Sequence, residues 1–256
     1  MSSSNHRIIF AGAGPGDPEL ITLRARAALD AADVVVYAGS LVNPVLLDGL
    51  DAEIHDSSGM DLENIMDIMI SAHRQGKRVV RLHTGDPAIY GATGEQMRRL
   101  DKEGIGYEVI PGVTSATAAA AAVRAELTLP GVSQTVILTR MSGRTPVPDR
   151  EALASLASHQ ASLCIYLSVS MLKDVVHELL EGGYGPDTPA VVVEKATWPD
   201  ERIVSGTLDT IADAVRRLDI RKTAMILVGH ALEKGAGEAS CLYDPAFSHG
   251  YRQATG

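Results

Sequence analysis

Ile8-Ile9-Phe10-Ala11-Gly12-Ala13-Gly14-Pro15-Gly16-Asp17-Pro18 is an apolar run that breaks into a glycine-rich turn. The run Ile8 to Ala11 has the composition of a buried parallel strand. The turn therefore falls at a strand's carboxyl end, where open α/β sheets bind their ligands. A second junction of this kind follows Val79-Val80-Arg81-Leu82. It reads Thr84-Gly85-Asp86-Pro87-Ala88-Ile89-Tyr90-Gly91. Glycine lets the backbone approach a ligand closely, and the adjacent aspartates offer carboxylates. The two turns predict one shared cleft.

The first turn is not a dinucleotide fingerprint. A G-x-G-x-x-G pattern starting at Gly12 needs glycine where Asp17 stands. Pro15 also removes a backbone N–H from the loop that would cradle a pyrophosphate. No G-x-x-x-x-G-K-[ST] loop occurs either. The turn suits an adenosine ligand without phosphates, of which S-adenosylmethionine is the common example.

Outward from these turns, strand and helix patterns alternate. Strands are expected at Ile8–Ala11, Val34–Tyr37, Val79–Leu82 and Tyr107–Ile110. A later series is expected at Thr135–Leu138, Leu163–Leu167, Ala190–Glu194 and Ala224–Val228. An antiparallel strand is expected over Ile203–Thr207. Leu20, Leu23, Ala27 and Ala28 keep helical spacing after a Pro18-Glu19 start. Asp61 can cap a helix with an apolar face of Leu62, Ile65, Met69 and Ala72, ended by Gly76. Further helices are expected at Gln96–Lys102, 115–125, Glu151–Ala157, Met171–Glu181 and Leu208–Leu218. The pattern predicts an α/β protein with mostly parallel sheets and helices on their faces. We read two α/β domains, 1–123 and 124–256, and a tail from Glu233 that frays.

Composition narrows the function. The chain has 256 residues, 45% hydrophobic but only 4% aromatic, so its cores must be aliphatic. A net charge of −9 argues against a nucleic-acid binder, because phosphate contacts need clustered Lys and Arg. Cys164 and Cys241 stand alone, without metal spacing or a disulfide framework, which suits a reducing cytoplasm. No signal peptide or long apolar segment occurs, so no membrane association is expected. Eight scattered histidines form no H-x-x-x-H or H-E-x-x-H pattern, so no metal is expected.

Taken in order, five segments resemble the tetrapyrrole methylases, the class III S-adenosylmethionine-dependent methyltransferases. They are Gly12–Pro18, Ala32-Asp33-Val34-Val35-Val36-Tyr37, Gly85-Asp86-Pro87, Pro111-Gly112-Val113-Thr114-Ser115 and Ile226-Leu227-Val228-Gly229. Each is weak alone; in this order they are specific, and the likeness spans roughly residues 7–232. Three segments narrow the resemblance: Tyr37–Val42, Leu82–Gly91 and Leu138–Pro148. They imply methylation at C-11 of the corrin precursor precorrin-4, metal-free or in its cobalt form. Members acting first on uroporphyrinogen III usually carry aspartate where Ala38 stands and Gly-Lys-Arg where His55-Asp56-Ser57-Ser58 stands. The resemblance further implies a homodimer, a cofactor cleft between two domains, and a tetrapyrrole as the small-molecule partner.

The same resemblance assigns roles. Asp86 becomes a catalytic and cofactor-site carboxylate; read locally, it is a turn aspartate before Pro87. Pro15, Gly85, Ile89, Leu167 and Ala196 match cofactor-lining positions. Thr114 and Ser115 serve as a helix cap, and the family pattern adds cofactor contacts there. His83 and Tyr90 flank the Gly85-Asp86 turn and could face the substrate ring, although a strand-end histidine is commonly structural. Arg140 and Arg144, in a Gly- and Pro-bearing loop, are candidates for substrate carboxylates, against a reading as solvated loop charge.

The implied chemistry is attack of an electron-rich ring carbon on a sulfonium methyl. It needs orientation more than a base. No G-x-S-x-G motif or Cys/His pair suggests otherwise. Rival readings are RNA 2′-O-methylation, a nicotinamide oxidoreductase and a non-catalytic cofactor-binding module.

Overall fold

The computed structural model describes residues 7–238, 240 and 243–254, so Cys241 lies outside the described residues. The chain forms two compact units. The first runs to Ala118 and includes Lys195–Asp200; the second holds Ala119–Glu194 and the chain from Glu201.

The first unit is built on five strands: β1 (Ile8–Gly12), β2 (Val34–Tyr37), β3 (Glu53–Asp56), β4 (Val79–His83) and β5 (Tyr107–Ile110). Their order is β3-β2-β4-β1-β5, and every neighbouring pair is parallel. Strand alternation sends Ile8, Phe10, Val34 and Val36 to one face. There they pack with Ile65, Met66 and Met69 of α2 (Leu62–Arg74) and Leu100 of α3 (Thr93–Lys102). Ala11, Val35, Val80 and Leu82 face the other way, onto Ala25 and Leu29 of α1 (Leu23–Asp30). Helices on both faces explain why β1 and β2 read as unbroken apolar runs.

α2 begins as its sequence predicts, with Asp61 Oδ1 accepting the Asn64 N–H at 2.8 Å. α1 requires a correction. Pro18–Leu20 is a separate 3-10 turn capped by Asp17, and the helix starts only after Thr22, which caps it. This rotates the buried stripe onto Ala25 and Leu29 and leaves Leu23 91% exposed. The sequence reading also missed β3. Its Glu-Ile-His-Asp has one apolar residue, and it lies at the sheet's edge, mostly exposed.

The second unit follows α4 (Ser115–Ala122), within which the two units divide. Its strands are β6 (Val136–Arg140), β7 (Ser162–Tyr166), β8 (Pro189–Glu194), β9 (Arg202–Thr207) and β10 (Ala224–Val228), in the order β6-β7-β10-β8-β9. Over the two sheets together the pairing is mostly parallel, as expected, but this second sheet is mixed. β6 and β7 are parallel, whereas β10 runs antiparallel to both β7 and β8, and β9 antiparallel to β8. The β8–β9 hairpin reverses the chain, and the crossover through α7 (Ile211–Arg217) preserves the reversed direction. An apolar run carries no sign of its direction, so only β9 was readable as antiparallel. The core packs Leu163, Ile165, Val192 and Ile226 against α5 (Leu153–Ala157), α6 (Leu172–Glu181) and α7. Cys164, between Leu163 and Ile165 on β7, points to the sheet's other face and is also buried, and burial pushes its thiol up to about 12. In the tail, Arg252 and His249 bond to each other through their backbones, so part of the expected fraying region holds a turn.

Candidate functional site

Sheet order puts β4, β1 and β5 side by side, so the turns leaving them stack at the sheet's carboxyl edge. The Ala13 N–H donates to His83 O at 2.7 Å. Gly14 and Gly85 exchange backbone hydrogen bonds at 3.3 and 2.8 Å. The third turn closes against both. A Cβ on Gly112 would lie 2.1 Å from Gly85 O, and one on Gly12 would lie 2.6 Å from Gly112 Cα. These two positions require glycine because backbone occupies the space of a side chain. Gly85 has φ +59°, a region costly for other residues, and backbone of Val113–Ser115 begins 3.8–4.0 Å from where its Cβ would be.

Asp86 joins two of the turns. Its Oδ1 accepts the Ala88 N–H at 2.7 Å, and its Oδ2 accepts the Gly112 N–H at 3.0 Å. The first bond is the local turn pattern that the sequence suggested. The second was not visible in the sequence. Ile89 and Tyr90 complete this loop: Ile89 is half-buried, and Tyr90 is exposed with φ +54°. Thr114 and Ser115 open α4 and are both half-buried, and the Thr114 carbonyl accepts from the Ala118 N–H at 3.2 Å.

The turn after β1 is held from outside itself. Pro15 is buried, and its carbonyl accepts the indole N–H of Trp198 at 3.0 Å. The Asp17 N–H donates to Thr197 Oγ1 at 2.9 Å, and Asn43 donates through Nδ2 to Gly16 O at 2.8 Å. Buried Ala196 precedes these two residues in the same segment. The sequence reading singled out Ala196 but neither Trp198 nor Asn43. A lone tryptophan more than 180 residues away carries no sequence signal that it meets this turn.

His83 lies in the core. It is 4% exposed, stacks on Phe10 at 6.0 Å between ring centroids, and its Nε2 has no hydrogen-bond partner among the described residues. Burial, with the nearby Arg81 charge, lowers its pKa to about 3, so the ring is neutral at pH 7. This corrects the expectation that His83 faces a substrate. Arg81, which the sequence reading passed over, is 5% exposed on the same face. Its Nε donates to Gln96 Oε1 at 3.2 Å, and its Nη1 to Val36 O at 3.2 Å and Ser57 Oγ at 3.0 Å. These partners are all neutral, and burial lowers the pKa to about 10.

The second unit holds three further candidates. Arg140 ends β6 and folds its guanidinium back over its own loop, donating to Thr145 O at 3.0 Å and Pro146 O at 2.8 Å. Arg144, in the loop so formed, is exposed and makes no hydrogen bond or ion pair among the described residues. Leu167 follows β7 with φ +56° and is 68% exposed, unusual for a large apolar residue. Beside it, buried Ser168 accepts the Met141 N–H at 2.9 Å and donates to Tyr166 O at 2.7 Å, joining the ends of β6 and β7. Among the described residues, no three His, Cys, Asp or Glu side chains group as a metal site, and no helix is long and apolar enough to cross a membrane.

A family model described as Tetrapyrrole (Corrin/Porphyrin) Methylases matches residues 7–212. The cobalt-precorrin-4 C(11)-methyltransferase of Methanocaldococcus jannaschii is 54% identical, across 98% of this chain and 98% of its own. The precorrin-4 C(11)-methyltransferase of Pseudomonas aeruginosa is 47% identical, across 96% and 98%. A crystal structure of the cobalt precorrin-4 methyltransferase CbiF superposes with a TM-score of 0.88 and 51% identity, covering 91% of this chain and 98% of its own. Uroporphyrin-III C-methyltransferase from Thermus thermophilus, complexed with S-adenosylhomocysteine, gives a TM-score of 0.75 and 32% identity, covering 88% and 98%.

Proposed function

Because the chain belongs to the tetrapyrrole (corrin/porphyrin) methylases, we propose that it transfers a methyl group from S-adenosylmethionine to C-11 of precorrin-4. The observation that carries the cofactor reading is the meeting of three turns at Gly12, Gly85 and Gly112. Their residues fit this cofactor better than a phosphate ligand. Pro15 has no N–H to offer, and the open backbone at Gly85 faces the first turn of α4. When bound, S-adenosylmethionine supplies a methyl group activated on a sulfonium.

In this reading the protein binds and orients. Pro15, Gly85, Ile89, Thr114, Ser115 and Ala196 are assigned to the cofactor; Leu167, exposed after β7 in the second unit, carries the same assignment by the family pattern alone. Asp86 fixes the turn geometry through its two backbone bonds and leaves a negative charge beside them. Tyr90 and Arg144 serve the substrate: an exposed guanidinium suits the carboxylates of a tetrapyrrole. Arg140 shapes the loop that carries Arg144. His83 and Arg81 are assigned to packing. In this reading the protein acts as a cytoplasmic homodimer; two isolated cysteines in 256 residues agree with a reducing compartment.

A second reading has specific support. The 54%-identical relative and CbiF are both named for the cobalt-containing substrate. Incubation with methyl-labelled S-adenosylmethionine and, in parallel, precorrin-4 or cobalt-precorrin-4 decides between them. Label in either macrocycle supports the activity, and the faster one is the substrate. Label in neither sinks the proposal.

A further inference from the structure

We propose that Trp198 is a positioning residue for the S-adenosylmethionine site, holding Pro15 and Ala196 in mutual register and reporting ligand binding through its fluorescence. The inference rests on the cofactor reading above and adds a residue that this reading does not require.

The first observation is fit. A Cβ on Gly16 would lie 2.1 Å from Trp198 Cδ1 and 2.3 Å from its Nε1. The five-membered edge of the indole therefore rests on the Gly16 backbone, and only glycine permits that. The same edge donates to Pro15 O at 3.0 Å. An aliphatic side chain could fill part of the space without making the bond.

The second observation is strain. Trp198 reaches this turn from a segment in which Lys195 has φ +50° and Thr197 has φ +71°. Positive φ is unfavourable for a β-branched residue, and such strain persists only where surrounding contacts enforce it. The contacts here are the Trp198 bond to Pro15, the Thr197 bond to Asp17 and a Lys195–Asp200 ion pair, with the Lys195 ammonium 6.0 Å from the indole centroid. Thus two residues assigned to the cofactor, Pro15 and Ala196, are joined by Trp198 and Thr197.

The third observation is that the turn has little freedom left. Pro15 O, Gly16 O and Asp17 N are taken by Trp198, Asn43 and Thr197, and Asp17 O accepts the Leu20 N–H at 3.0 Å. A turn fixed on both sides pays less ordering entropy when a ligand arrives. Losing the tryptophan frees the side that carries Ala196.

The chain has one tryptophan, so the test needs no added probe. S-adenosylhomocysteine is titrated into the wild-type protein by calorimetry and by tryptophan emission. Emission should change along the calorimetric isotherm. Trp198→Phe keeps a ring on Gly16 but no N–H for Pro15 O, and should weaken S-adenosylhomocysteine binding about threefold to tenfold. Trp198→Ala should weaken it more than tenfold, with the KM for the tetrapyrrole within about twofold of wild type. Gly16→Ala must displace the indole. Its effect should match that of Trp198→Ala, and the double variant should be no worse than either single one. A merely structural tryptophan would lower thermal stability while leaving this cofactor-specific pattern absent. Near-wild-type affinity in Trp198→Phe and Gly16→Ala overturns the inference, even should Trp198→Ala fail to fold. If the wild-type protein itself binds no S-adenosylhomocysteine, the cofactor reading fails instead.

Discussion

Gly112 donates its backbone N–H to Asp86 Oδ2 at 3.0 Å, linking the turn after β5 to the turn after β4. The other carboxylate oxygen accepts from Ala88 within its own turn. One side chain therefore sets both the local bend and the distance to the neighbouring loop. Under the proposed function Asp86 acts through that position, because misplacing either turn would misplace the cofactor assigned to them.

Asp86→Ala should leave two backbone donors unsatisfied and lower methyl transfer at least tenfold, about 1.4 kcal/mol of barrier. Asp86→Asn retains a single acceptor oxygen and should fall between wild type and alanine. Steady-state rates and thermal melts of both variants check this. Activity of Asp86→Ala within twofold of wild type would show that the turn geometry does not matter to the reaction.

His83 predicts an acid-sensitive fold. Its folded pKa, about 3, lies below its ordinary value of 6.5, so the unfolded chain binds the additional proton between those limits. Its stabilising contribution is complete above that window and is lost as pH falls through it, at no more than about 1.4 kcal/mol per pH unit. Urea unfolding of His83→Leu between pH 7 and pH 4 should show a shallower loss of stability than wild type. Parallel slopes would mean that His83 is not the responsible group.

The neutral surroundings of Arg81 predict a stabilising substitution. Gln96→Glu places a carboxylate against a buried guanidinium that has only neutral acceptors, and should raise stability by about 1 kcal/mol near neutral pH. Chemical denaturation measures it. A loss of stability would indicate that burying the second charge costs more than pairing recovers.

Arg140 and Arg144 should separate. Arg144→Ala should raise the KM for the tetrapyrrole about threefold to tenfold, with unchanged stability and a weaker dependence on ionic strength. Arg140→Ala should raise it too, but with greater protease sensitivity across Arg140–Pro148, since its guanidinium holds that loop's carbonyls. Equal stability loss in both variants would refute the division of roles.

Much of this was legible in the sequence for identifiable reasons. Aliphatic runs such as Val34–Tyr37 and Ala224–Val228 mark buried strands, and the strand-end turns at Gly12 and Gly85 mark the ligand edge of a sheet. What escaped depends on distance in the chain. The β3 edge strand buries too little to need an apolar pattern. The antiparallel entry of β10 leaves no trace in Ala-Met-Ile-Leu-Val. Arg81 reads as an interruption of its strand until Gln96 and Ser57 are brought to it. Trp198 and Asp17 lie in segments that only the fold makes adjacent; the Thr197–Asp17 bond between those segments spans 180 residues.

The most direct test of the account is the position of the transferred methyl group. The protein is incubated with isotope-labelled S-adenosylmethionine and precorrin-4 or its cobalt form, and the product is read by NMR and mass spectrometry. The account predicts one added methyl group per macrocycle, on C-11, and no transfer to uroporphyrinogen III. Label on another ring carbon, or transfer to uroporphyrinogen III in preference to either precorrin-4 form, would contradict it.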